Sequence, residues 1–535
     1  MQQRPGKRKL ESKKLKKMTR DLPQFQQQRR HLLRLLGAAA SVAVTGAIAG
    51  CGGDSSGASG AGGTADNTDN PTNPGSTNTT TPSNPSPTNP QPTVSGPVTI
   101  ASINVSANVA AAFPAQFTGL SCEKMRISTQ LFASADSNAI NLYKLLGPSL
   151  LRIGGNSVDT TTWTPGGAGQ TSGQVAPSDI DALASFIQTT GWKILYGVNL
   201  AQSSPSAAAA EVAYAANAFG SALAGIEIGN EPNDYGKYFP NGWSPSDYIS
   251  RWQSFASAIL QAVPSVRLTG PATSAAGYSK YFPPFVQAEA SQLSLLTQHY
   301  YRGSATASTA TVDTLLSYPD TNLQALIAEL VQQSQSSGVP TRMAETNSFS
   351  GGGTSGVSNS YASALWLIDH TMTCALGGLS GVNFHGTNDS SSSYTQMVID
   401  STGMVTAINP EFYGLKLLSM AGSGSLLTTS ASANGLNVSA YAIQSAAGAI
   451  SILLLNKEPS QNLAATVVLP SAARSASAQV MQGPKLSDTA NPLIQGASIG
   501  VDGSFSPGAA YTLTVNGKQV SVSVPAASAV LVAVS

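Results

Sequence analysis

The chain has 535 residues, 41% of them hydrophobic and only 10% charged, with 51 Gly, 31 Pro and three Cys. These values allow sizeable cores and exclude both a fibre and a disulfide scaffold. The net charge of +1 is a cancellation, because residues 1–50 carry twelve Lys and Arg against Glu11 and Asp21. The remainder is mildly acidic, which argues against a nucleic-acid partner, since that needs a basic face on the folded part.

Arg29-Arg30 precedes an apolar run that ends at Ile48-Ala49-Gly50-Cys51. A charged start, a short apolar stretch and small residues before a cut make residues 1–50 a signal peptide, and the run is too short for a membrane span. The Arg pair resembles a twin-arginine export signal. The residues before Cys51 resemble a bacterial lipobox, which implies a lipidated Cys51 and an exported protein tethered to the cell envelope. Residues 52–97 are Gly, Ser, Thr, Asn, Asp and Pro with almost nothing apolar, the composition of a disordered linker. Its later prolines stiffen it toward polyproline II.

From Val98 the pattern changes. Strand-like runs at 117–121, 150–154, 194–199, 225–230, 266–270, 295–300, 342–345 and 381–385 alternate with helical patterns such as 180–188, 207–219, 245–262, 323–333 and 361–375. Eight strands alternating with helices predict an α/β fold, a (β/α)8 TIM barrel over 98–415. Beyond it, short β runs at 437–443, 449–455, 464–469, 477–481, 510–515, 519–524 and 529–534 predict a C-terminal antiparallel β-sandwich over 416–535. The run at 98–105 is expected to pair into it.

In such a barrel the chemistry lies at the C-terminal ends of the strands. Glu123, Gly154-Gly155-Asn156, Asn199, Asn230-Glu231-Pro232, His299-Tyr300-Tyr301, Glu345-Thr346-Asn347 and His385-Gly386 stand there. Two glutamates at the ends of strands four and seven, in a chain this poor in charge, fit a retaining glycosidase. In that chemistry one carboxylic acid protonates the leaving oxygen and a second carboxylate attacks the anomeric carbon. Glu231 is assigned as acid/base and Glu345 as nucleophile, with Asn230 beside the acid for the sugar 2-hydroxyl. Glu227 shares the parity of Glu231 and reads as a buried acid paired with Arg152. His299 and His385 read as hydrogen-bonding walls, since no third ligand is spaced for a metal; neither metal nor cofactor is expected. Asn156 and Asn199 stand equally well for sugar contacts or strand-end caps. Trp163 and Trp243 suit either sugar stacking or packing, and Cys122 and Cys374 read as buried free thiols.

Four segments carry a family resemblance: Arg152-Ile153-Gly154-Gly155-Asn156, Glu227-Ile228-Gly229-Asn230-Glu231-Pro232, Arg342-Met343-Ala344-Glu345-Thr346-Asn347-Ser348 and Gly381-Val382-Asn383-Phe384-His385-Gly386. Together they resemble glycoside hydrolase family 79, the β-glucuronidase and heparanase family, across residues 98–535. The resemblance implies retaining hydrolysis of β-linked uronic acid glycosides. It also implies a uronate carboxylate held by tyrosine hydroxyls and backbone amides, here Tyr301, Gly352 and Tyr394, with Glu123 accepting from sugar hydroxyls. Phe349-Ser350 has no phenol where the family pattern would place one. A neutral-sugar β-glycosidase, acting on glucosides or xylosides, therefore remains a second reading. A non-catalytic glycan-binding lipoprotein on the same scaffold is a third.

Overall fold

The computed structural model describes residues 89–133 and 137–535. The signal peptide, Cys51 and the linker up to residue 88 lie outside the described residues. Among the described residues, no helix is long and apolar enough to cross a membrane.

Eight parallel strands close into a barrel. In chain order they are Thr118–Glu123, Leu150–Gly154, Lys193–Val198, Leu223–Ile228, Leu268–Thr273, Leu293–Ser304, Thr341–Ser350 and Val382–Gly386, called barrel strands one to eight below. Strand one pairs with both two and eight, which completes the ring. The sequence places all eight, with ends shifted by a few residues. Strand two is buried at every position, as a strand covered on both faces must be. The helices between start where their sequences direct. Pro177, Pro205 and Pro245 open three of them, and the Ser204 and Ser244 side chains accept from the third backbone N–H. The helix Tyr278–Glu289 has no counterpart in the sequence reading, because Pro283 and Pro284 inside it break the pattern.

The lower end of the barrel is plugged by Arg342. Its Nε donates to Asn383 Oδ1 at 2.5 Å, and its other nitrogens donate to the carbonyls of Gln116, Phe117 and Val382. Among the described residues no carboxylate answers this cation, and burial pulls its pKa down to about 9. A Cβ at Gly381 would sit 1.9 Å from Nη1. Arg342, Gly381 and Asn383 of the motif segments therefore serve barrel closure rather than the open end.

The last barrel helix, Pro410–Ala421, runs across the boundary read at 415/416. Beyond it an eleven-stranded sheet folds round its own core, the β-sandwich. The strand Val98–Phe113 joins it, antiparallel to Gly424–Ser432 and parallel to Asn462–Val468, so the sandwich is antiparallel with one parallel pair. Gly424–Ser432 is absent from the sequence reading because its Gly, Ser and Thr carry no strand-like apolar run. The expected linker also ends earlier than residue 97. Gln91 exchanges two hydrogen bonds with the backbone of Ser523, at 2.5 and 2.9 Å, and Thr512 N donates to Asn89 O. An amide side chain that satisfies a strand's edge orders this segment.

The sandwich strands alternate with period two between two cores. Ala442, Ile452, Leu454, Val530 and Val532 face the sandwich interior. Tyr441, Ile443, Leu453, Leu455, Leu531 and Met481 join the barrel's own cluster. A buried ion pair, Lys457 with Asp369 of the barrel helix Tyr361–Leu376, crosses the same boundary. Asp369 also accepts from Ser439 Oγ at 2.5 Å and Tyr441 Oη at 2.9 Å.

Candidate active site

At the upper end of the barrel lies a cleft of about 530 Å³, within the range of small-ligand sites. Glu123, Asn156, Glu231, His299, Tyr301, Glu345, Gly352, His385 and Tyr394 all line it. Asp234, Ser274, Thr387, Ser391 and Ser392 complete the wall from the loops after strands four, five and eight; their types carry no signal in the sequence.

Arg152, fully buried on strand two, organises the floor. Its Nε donates to Glu227 Oε2 at 2.7 Å, Nη1 to Glu345 Oε2 at 2.8 Å and Nη2 to Asn230 Oδ1 at 2.8 Å. Nη2 also donates to His299 Nε2 at 3.2 Å. A guanidinium has no lone pair, so Nε2 must accept and the ring carries its proton on Nδ1. That Nδ1–H donates to Glu231 Oε1 at 3.0 Å, which leaves Glu231 Oε2 free for the cleft.

Glu345 sits at the centre of the positive groups. Burial opposes its ionisation, but His385, Arg152 and the Tyr301 hydroxyl, which donates to Oε1 at 2.9 Å, outweigh that and hold its carboxyl far below the usual range. His385 is the counterpart. Burial disfavours its charge, yet Glu345 and Glu123 raise its pKa above the ordinary value. Its Nδ1 lies 3.1 Å from Ser121 Oγ and its Nε2 3.5 Å from Glu123 Oε1. Glu123 accepts from the backbone N–H of Asn156 and Ser157 at 3.2 and 2.8 Å, and from Ser157 Oγ. Burial is again outweighed, by His385 and Ser157, so its pKa is lowered.

Glu231 begins the short turn Pro232–Lys237 with φ 47° and ψ 59°, a left-handed conformation rare outside glycine. The turn is pinned from beneath. Asn230 N donates to Tyr235 Oη at 3.1 Å, and Tyr235 Oη donates to Asp159 Oδ2 at 2.6 Å. Burial pushes the Asp159 carboxyl up to about 6. Trp243 Nε1 donates to Pro232 O at 2.7 Å, and its ring stacks on Phe239. The loop after strand seven carries Gly351, Gly352 and Gly353 with φ of 83°, 93° and 78°, a run only glycine adopts readily.

Two expected contacts do not stand at the cleft. Asn199 is buried and caps a strand end: its amide donates to Thr161 O and its oxygen accepts from Gln202 N. Asn230 is turned inward by Arg152 and is not part of the cleft wall. Trp163 and Trp243 likewise pack on Tyr214 and Phe239. Cys122 and Cys374 are buried free thiols.

One oxygen or nitrogen each from Glu231, His299 and Glu345 lies within 4.8 Å of the others, a spacing open to metal ligation. The permanent charge of Arg152, bonded to two of the three, disfavours a cation there. The same spacing puts the two carboxylates close to the roughly 5–5.5 Å that retaining glycosidases use.

No family model matches the chain. A β-glucuronidase of Aspergillus niger (strain ATCC MYA-4892 / CBS 513.88 / FGSC A1513) is 27% identical over 282 residues, 46% of this chain and 52% of that protein. The chain resembles a β-glucuronidase. The likeness to glycoside hydrolase family 79 read from the four segments is borne out by this relative, although the match spans about half of the relative's length. Among solved structures, a 4-O-α-L-rhamnosyl-β-D-glucuronidase from Fusarium oxysporum 12S superposes with a TM-score of 0.67 at 20% identity, covering 81% of this chain and 99% of that one. A family 51 arabinofuranosidase from Xanthomonas axonopodis pv. citri gives 0.61 at 15% identity, covering 82% and 100%. These two share the fold, a barrel with a β-sandwich.

Proposed function

We propose that the chain is a retaining glycoside hydrolase that cleaves β-linked glucuronides. The observation that carries this reading is the pair Glu231, just past strand four, and Glu345, midway along strand seven, with carboxylate oxygens within 4.8 Å. Glu345, kept ionised by Arg152, His385 and Tyr301, attacks the anomeric carbon. Glu231 delivers its proton to the leaving oxygen from Oε2, while His299 holds Oε1. The leaving group departs, water enters, and Glu231 takes its proton as it attacks the glycosyl–Glu345 ester. The glucuronide preference rests on the A. niger relative and on the cleft itself. Tyr394 and the glycine run beside it offer a hydroxyl and close backbone to an anion.

The test compares kcat/KM on aryl β-glucuronide, β-glucoside and β-xyloside, and repeats it with Glu231→Gln and Glu345→Gln. Glucuronide preference with both variants at least about a thousandfold slower is expected. Preference for a neutral sugar would discard the uronate, and activity retained in either variant would discard the mechanism. Export with acylation at Cys51 belongs to the same proposal, and its test is incorporation of labelled palmitate that Cys51→Ser abolishes.

A further inference from the structure

Behind the cleft wall lies a buried carboxyl that the mechanism does not use. Glu411, in the first turn of Pro410–Ala421, is fully buried. Its Oε2 accepts from Gln396 Nε2 at 2.8 Å and Asn347 Nδ2 at 3.1 Å, and its Oε1 has no partner among the described residues. The same two amides hold the main chain of two cleft residues. Asn347 Nδ2 lies 2.8 Å from His385 O and 3.1 Å from Tyr394 O; Gln396 Nε2 lies 3.4 and 3.2 Å from them. Asn347 itself stands two residues beyond Glu345 on strand seven.

We propose that Glu411 is a positioning residue: its carboxyl anchors Asn347 and Gln396, and through them sets His385 and Tyr394 against Glu345. This rests on the hydrolase reading above.

The charged and titratable groups on the packed elements are engaged elsewhere. On its own helix, Tyr413 accepts from Ile499 N and Lys416 donates to Leu145 O. On the helix Tyr361–Leu376, Asp369 pairs with Lys457, His370 bonds Thr346, Tyr361 donates to Met481 O and Cys374 is a buried thiol. On Ala139–Leu146, Tyr143 packs on Trp192 and Lys144 is exposed. On strands seven and eight, Arg342 serves the lower end, while Glu345 and His385 bond to each other's neighbours in the cleft. No Lys, Arg or His nitrogen among the described residues lies within 4.0 Å of Glu411 to stabilise its charge. Burial accordingly pushes its carboxyl up to about 8, against weaker lowering by the two amides. Above that pH an unpaired charge arises under the wall.

The sign follows. A carboxyl raised in the fold lends stability that is complete below its unfolded pKa and lost as pH rises through the folded value. Gln has the same shape and never ionises. The experiment uses the whole chain and an aryl β-glucuronide with a strongly acidic leaving group, so that Glu231 need not supply a proton. Wild type, Glu411→Gln and Glu411→Ala are profiled for kcat and Tm between pH ~5 and ~10. At pH ~6, Glu411→Ala loses about tenfold in kcat, whereas Glu411→Gln stays within about threefold. Above pH ~8, wild type loses activity and Glu411→Gln does not; between pH ~5 and ~8 the Tm of wild type falls relative to Glu411→Gln. Coincident alkaline limbs, or a Tm difference independent of pH, would overturn the proposal. So would a wild-type profile flat to pH ~10, which needs no variant to fold. If no protein cleaves the substrate, the hydrolase reading has failed, and the Tm series still decides the ionisation of Glu411.

Discussion

Arg152 Nη1 donates to Glu345 Oε2 at 2.8 Å, from a guanidinium that has no solvent exposure. The same side chain serves Glu227, Asn230 and His299, so its fork geometry cannot be reproduced by a point charge. Arg152→Lys is expected to lower kcat/KM about a hundredfold, the loss of about 2–3 kcal/mol that charge-assisted hydrogen bonds carry. Arg152→Gln removes the adjacent positive charge altogether and so raises the pKa of Glu345. The acid limb of the kcat/KM profile therefore moves to higher pH, and an unmoved limb would show that Arg152 does not tune Glu345.

The turn that carries Glu231 is strained at φ 47° and held by Tyr235. Tyr235→Phe leaves the N–H of Asn230 without its acceptor and Asp159 without its shortest donor. A stability loss of about 1–3 kcal/mol is expected, read by denaturant unfolding, with kcat reduced more than KM is raised. Asp159 adds a pH signature. Its carboxyl, raised to about 6, lends stability that is complete below its unfolded pKa and disappears as pH rises through 6. Asp159→Asn should flatten stability between those limits, measured as Tm against pH.

The glycine run after strand seven abuts Tyr394. A Cβ at Gly353 would lie 2.8 Å from Ser358 Cβ and 3.1 Å from Tyr394 N, on a residue at φ 78°. On the glucuronide reading proposed above, Gly353→Ala is expected to raise KM for an aryl glucuronide about tenfold and to change the activity on the glucoside less. Equal losses on both substrates would assign the loop to general support of the cleft.

Lys457 is the cation of an ion pair buried between barrel and sandwich. Lys457→Met strands the Asp369 carboxylate and is expected to cost about 3–5 kcal/mol, visible as a Tm loss. Adding Asp369→Asn, which removes the charge and keeps an acceptor for Ser439 and Tyr441, should restore most of it. Truncation near residue 415, which cuts the helix Pro410–Ala421 and takes away the Leu453 and Leu455 side chains that complete the barrel's cluster, should give insoluble protein, scored by expression and sedimentation.

The barrel was legible because its strands are short apolar runs bounded by Gly and Asn, a local signal. The two glutamates were legible because charge is scarce in this chain and each follows a strand-like run. Other features depend on long-range packing. Asn199 has the same composition and place as a sugar-binding Asn, and only the approach of Thr161 and Gln202 decides that it is a cap. Asn230 stands beside Glu231 in sequence, yet the fork of Arg152 turns it away. Glu411 carried no signal, since a Glu early in a helix ordinarily lies on its exposed side. Ser391 and Ser392 reach the cleft through a loop whose path no local pattern records. Gly424–Ser432 was missed because small polar residues pair through their backbones as well as apolar ones do.

The sandwich strands that put Leu453 into one core and Leu454 into the other have no side turned to water. Such a module cannot be lent to another chain or dispensed with by this one. Its outer layer is a half-finished surface until the barrel covers it. Heating or denaturant should therefore melt barrel and sandwich in one transition, and inherited change at either parity of these strands must be matched by the facing half of the molecule.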